Sequence, residues 1–169
     1  MIWRRTLLLA LLVVTGLLIE TSILGEATLV GTKPQVLLLF TIALAMGEGP
    51  ALGSTFGFFA GIVSDVLTGL PAGLTALAYT IVGYTVGAVR AQFATPSAWL
   101  PVAMVFAASL GGVLLYGGLA LLVGQEEAGG RALVAHALFG AAYNGLLTPF
   151  LFPIVRVLGS RLRPAGAIR

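Results

Sequence analysis

Asp65 and His136 are each the only residue of their kind in the chain. A histidine and an aspartate side by side can move a proton, the imidazole as base and the carboxylate as its orienter. Nothing in the spacing of these two brings them together. Ser64 precedes Asp65, but a lone Ser-Asp dipeptide supplies no base for the hydroxyl. One His and one Asp are too few for a metal centre, which takes three or four ligands. The chain has no cysteine, so disulfides and thiolate sites are unavailable to it. No phosphate-binding loop appears either. The expectation is a protein with no catalytic set, no metal and no cofactor, in short not an enzyme.

The polar residues then need other roles. Glu20, His136 and Asn144 fall inside apolar segments, where a polar group must find a partner. They are expected to be structural, His136 as a hydrogen-bonded packing histidine and Asn144 in a helix–helix hydrogen bond. A His136–Asp65 pair stays open. For Asp65 three readings stand: a carboxylate at the interfacial end of a helix, a buried acceptor that fixes the turn after it, or a relay for protons or substrate.

Asp65 also ends a stripe. Gly53, Gly57, Gly61 and Asp65 lie four residues apart, and on a helix they share one slowly drifting face. Three glycines leave that face almost flat, while Phe56, Phe58, Phe59 and Ile62 occupy the others. A flat face admits another helix backbone, which is how helices associate in lipid. The stripe, with Gly69 in the turn beyond it, is therefore expected to receive a partner helix. The rival is that it only packs the chain's own bundle.

The elements that hold these residues are apolar throughout. Hydrophobic residues make up 59% of the 169 positions and charged ones 9%, against about 25% in soluble domains. Mean hydropathy is +1.06. The fold class expected is an all-α membrane protein, a polytopic bundle of six transmembrane helices. Residues 1–169 form one integral membrane domain, with spans near 4–24, 34–46, 51–67, 71–89, 99–123 and 131–158. The first apolar run is long for a signal peptide and lacks a closing small-x-small site, so it is taken as a span. The second is short; two short spans are preferred over a re-entrant hairpin of segments two and three.

Six crossings put both termini on one side. Arg4, Arg5, Arg90, Arg156, Arg161, Arg163 and Arg169 then share that side, leaving Lys33 and Arg131 opposite. The positive-inside rule makes the shared side cytoplasmic. Basic residues sit at segment ends rather than in one patch, which argues against nucleic acid as a partner and leaves the lipid bilayer.

The run from Gly53 through Gly57-Phe58-Phe59-Ala60-Gly61-Ile62-Val63-Ser64-Asp65 to Pro71-Ala72-Gly73-Leu74 resembles the signature of the MreD family of rod shape-determining membrane proteins. Tyr79, Gly83, Tyr84 and Gly87 continue the likeness, as do Tyr143-Asn144, Pro149, Pro153 and Arg156. Ile62 and Ala72 stand where leucine is usual. The resemblance implies a non-enzymatic scaffold of the bacterial elongation machinery for peptidoglycan synthesis, in the inner membrane. Its implied partner is MreC, a single-span membrane protein, and through it MreB, RodA and a class B penicillin-binding protein. It also implies a fold similar to the S components of energy-coupling-factor transporters. That supplies the rival function, a small-molecule (vitamin) binding subunit, for which the chain has few outer-half polar groups.

Overall fold

A computed structural model describes residues 2–23, 34–69, 73–90, 92, 99–125 and 130–160. The described residues form six α-helices: α1 (Ile2–Leu18), α2 (Val36–Glu48), α3 (Pro50–Thr68), α4 (Leu74–Arg90), α5 (Leu100–Leu122) and α6 (Arg131–Ser160). A π-helical turn, Ile19–Ile23, continues α1. Each of the six apolar segments falls on a helix, the first on α1 and the turn that continues it. Lys33, Pro71, Glu126, Glu127, Arg161, Arg163 and Arg169, which bear on the expected turns and orientation, lie outside the described residues.

Three of these helices are long and apolar enough to cross a membrane: Pro50–Thr68, Leu100–Leu122 and Ala132–Gly159. Thr6–Ser22 and Val36–Glu48 are apolar but shorter. The protein is a helical membrane protein; length and composition alone support three crossings rather than six.

The architecture is built around α2. Its residues Val36 to Met46 are apolar on every side apart from Thr41, and all are buried. A helix without a polar face belongs inside, and α2 touches all five other helices. Thirteen residues at 1.5 Å each give about 20 Å, short of a roughly 30 Å hydrocarbon layer. The shortfall has no consequence at the lipid, because protein surrounds α2 along its length.

Packing fixes the directions. Gly53 faces Ala45 and Gly83, and Gly57 faces Thr41 and Tyr79, so α3 runs antiparallel to both α2 and α4. Gly117 faces Leu133 and Ser109 meets Asn144, which sets α5 antiparallel to α6. The outward surface is apolar. Leu7, Leu11, Val14 and Leu18 on α1, and Leu146, Phe150, Ile154 and Val157 on α6, are exposed. Phe58 and Phe59 meet edge to face on the outer side of α3, ring centroids 5.5 Å apart.

Candidate functional site

Asp65 lies in the last turn of α3 and is completely buried. Its Oδ2 accepts the N–H of Gly73 at 2.8 Å and that of Ala76 at 3.4 Å, while Oδ1 accepts that of Thr75 at 3.2 Å. These donors belong to the start of α4, whose first N–H groups have no partner within their own helix. A carboxylate there also meets the positive end of the helix dipole. Asp65 is thus the amino-terminal cap of α4, supplied from the preceding helix. On either side of residues 70–72 the backbone has positive φ, at Gly69 (67°) and Gly73 (106°), where glycine is free of the steric penalty. Of the three readings of Asp65, the buried acceptor that fixes the turn is the one this geometry has. His136 is elsewhere. It is exposed on α6 with Nδ1 2.7 Å from the Ala132 carbonyl of its own helix.

The glycine stripe is closed. A methyl group at Gly53 would lie 2.5 Å from the Ala45 Cβ, and one at Gly57 would lie 2.5 Å from the Tyr79 carbonyl oxygen. One at Gly61 would collide with the Ala76 backbone. Gly83 and Gly87 on α4 answer them, against Gly53 and Pro50. The expectation that Gly53, Gly57, Gly61, Asp65 and Gly69 present a face to a partner's helix is therefore corrected. The helix that uses the flat face is α4 of the same chain, Asp65 fastens it there, and Gly69 serves the turn.

A second polar node holds the amino end of α2. The Gln35 N–H donates to Asn144 Oδ1 at 3.1 Å, and Asn144 Nδ2 donates to Ser109 Oγ at 3.0 Å. The Leu37 N–H donates to Glu20 Oε2 at 3.4 Å, from the π-helical turn after α1. Asn144 lies near the middle of α6, so α2 begins deep in the bundle rather than at its edge. Backbone ends are tolerated at such depth only where protein satisfies them, and Glu20 and Asn144 do so. Asn144 makes a helix–helix hydrogen bond of the expected kind, and the bond of Glu20 to the start of α2 had not been named in advance. Gln35 and Ser109 were not foreseen; neither differs in sequence from an ordinary polar residue at a helix end or in an apolar run.

One small-residue face stays open. Ala103, Ala107 and Gly111 stand on successive turns of α5 and are exposed. They line a groove of about 580 Å³ between α4 and α5, whose opposite wall is Ile81, Thr85 and Val89. A methyl group at Gly111 would meet nothing within 4 Å. The same four-residue spacing that marks the α3 stripe was legible here, with alanine in place of glycine.

A family model, described as rod shape-determining protein MreD, matches residues 2–161. The chain belongs to the MreD family. No curated protein and no solved structure matches it. The expected likeness to S components of energy-coupling-factor transporters accordingly has no counterpart among solved structures.

Membership implies a role in rod-shape determination and agrees with the apolar helices of a membrane protein. It also gives the motif a physical meaning. In the stretch that resembles the MreD signature, the small residues are where α3 and α4 touch backbone to backbone. The aspartate is where α4 is capped. That stretch encodes a helical hairpin.

Proposed function

We propose that the chain is a non-enzymatic membrane scaffold of the bacterial elongation machinery, which holds the single membrane helix of MreC in the groove between α4 and α5. Through MreC it connects to MreB filaments, RodA and a class B penicillin-binding protein. Family membership supports the shape-determining role. The observation that carries the binding mode is the open column Ala103, Ala107 and Gly111. Small residues at this spacing let a second helix backbone approach, and in lipid such packing drives association. The internal seam of α3 and α4 is built in the same way within this chain. The protein sits in the inner membrane with both termini cytoplasmic. The distribution of basic residues, seven on one side of a six-crossing arrangement and two on the other, supports this orientation.

Gly111→Leu tests the reading. Its side chain enters open space, so the bundle folds and its Tm stays within a few degrees of the parent. MreC co-purification from membranes in mild detergent falls at least tenfold, and rod-shaped host cells carrying the variant become round. Ala107→Leu behaves likewise. A folded Gly111→Leu protein that keeps both MreC and rod shape would sink the groove as the seat of the partner.

A further inference from the structure

Two prolines, Pro149 and Pro153, lie inside α6, which is helical from Arg131 to Ser160. In an α-helix each carbonyl accepts from the N–H four residues on. Proline has no N–H. The carbonyls of Gly145 and Pro149 therefore cannot receive the bond that their place in the helix reserves for them. A hydroxyl beside a proline can make good such a loss. Thr148 does not, because its Oγ1 donates to the Asn144 carbonyl at 2.7 Å. No other side chain among the described residues donates to either carbonyl.

Their place in the bundle makes the loss matter. Pro149 and Pro153 are both exposed, as are Leu146, Phe150 and Ile154 around them. A helical carbonyl lies against the residue four places on, so the Pro149 carbonyl, between two exposed prolines, is on the outward side of α6. The Gly145 carbonyl lies one turn before it, beneath Pro149, although Gly145 itself is buried. Arg156 is exposed, and the cost of taking its charge into hydrocarbon sets it at the membrane edge. Pro149 stands seven residues earlier, about 10 Å deeper along the helix. Lipid tails at that depth offer no donor, and backbone polar groups there have to be answered by protein.

The chain's own habits narrow the chemistry of the missing donor. Thr41, Thr80 and Thr148 each give their hydroxyl proton to the carbonyl four residues back in their own helix. A hydroxyl on another helix would do the same, and it has no second proton to offer. An amide keeps two donors. Asn144 shows this use within the bundle, its Nδ2 donating across to Ser109 on α5.

We infer that the Pro149–Pro153 face of α6 is a docking surface for a transmembrane helix that carries an asparagine or glutamine at this depth. The amide donates to the Pro149 carbonyl, with that of Gly145 one turn away as the second acceptor. Leu146, Phe150 and Ile154 supply the apolar contact around it. The surface is separate from the α4–α5 groove and does not depend on the partner proposed there.

The test uses the whole protein in phosphatidylcholine vesicles with two probe helices. One is a polyleucine span, and the other is the same span with a single asparagine about 10 Å from one end. Energy transfer from a dye on the protein to a dye on the peptide reads association, with the peptide dilute enough in lipid not to pair with itself. The asparagine helix is expected to bind about tenfold more tightly than the leucine helix, the worth of an interhelical hydrogen bond in model membrane peptides. Pro149→Ala and Pro153→Ala each return one N–H to the helix. Each is expected to keep or raise Tm, since alanine suits a helix interior better than proline, and to lower the preference for asparagine. The double variant should show no preference. Equal binding of the two helices by the parent protein overturns the surface, whether or not the alanine variants fold. So does a full preference in a folded double variant, because the amide then finds its acceptor elsewhere. Phosphatidylethanolamine in place of phosphatidylcholine adds a headgroup that can donate. A preference kept in that lipid supports a helix as the occupant, and one abolished by it assigns the carbonyls to the headgroup and overturns the docking surface.

Discussion

Asp65 joins two helices with one side chain. Three backbone donors from the start of α4 converge on its two oxygens, and the group is wholly buried. Asp65→Leu leaves all three donors orphaned, at about 1–3 kcal/mol each before relaxation. The expected result is loss of most folded protein from detergent extracts, read as monodisperse yield and Tm. Asp65→Asn keeps one acceptor oxygen and brings its own donors toward the amide hydrogens, so it falls between the parent and the leucine variant. An Asp65→Leu protein with unchanged Tm would remove the cap from the account. His136→Ala, by contrast, loses one bond to its own helix on an exposed face and is expected to leave Tm and cell shape unchanged. A large effect of His136→Ala would mean that the histidine acts on something outside the chain.

At the scale of elements, two stripes of the same kind have opposite fates. Gly57 sits against the Tyr79 carbonyl and Thr41, whereas Gly111 faces open space. Gly57→Ala forces α3 and α4 apart where their backbones touch, which costs about 1–3 kcal/mol as overpacking. Gly57→Leu exceeds what the seam can absorb, and expression and stability should fall together with MreC binding. Fluorescence-detected size exclusion of the two glycine variants makes the comparison direct. Partner loss with an intact monodisperse peak for Gly57→Leu would reinstate the α3 stripe as an outward face. The spacing of small residues was legible in sequence at both places. Which stripe the chain uses on itself was not, because that depends on which helix folds back beside it.

For the whole molecule the quantity to measure is how often the chain crosses. Three helices suffice by length and composition, and α2 is too short to cross perpendicularly yet is sheathed by protein. The charge asymmetry predicts that cysteines placed at 126 and 163 fall on opposite sides. The native chain has no cysteine, so labelling of intact cells by an impermeant maleimide reads each site without background. Labelling at 126 alone is the outcome for six crossings with cytoplasmic termini. Labelling at 163 would overturn that orientation.

The sequence by itself determined the class, the helices and the family likeness, since these follow from local properties. Apolar content far above that of a soluble chain, runs of helical length, Gly-Pro turns and the Gly57–Asp65 motif act over a few residues and are written along the chain. It also located the polar residues that matter, Asp65, Glu20 and Asn144, because a polar group within an apolar run is conspicuous and must be answered. What only the tertiary structure decided was who answers. Asp65 serves α4, Asn144 ties Gln35 to Ser109, and Glu20 meets the start of α2. The glycine stripe turned inward for the same reason. Close packing is satisfied by whichever backbone fits the face, and α4, which follows α3 directly in the chain, is the helix beside it.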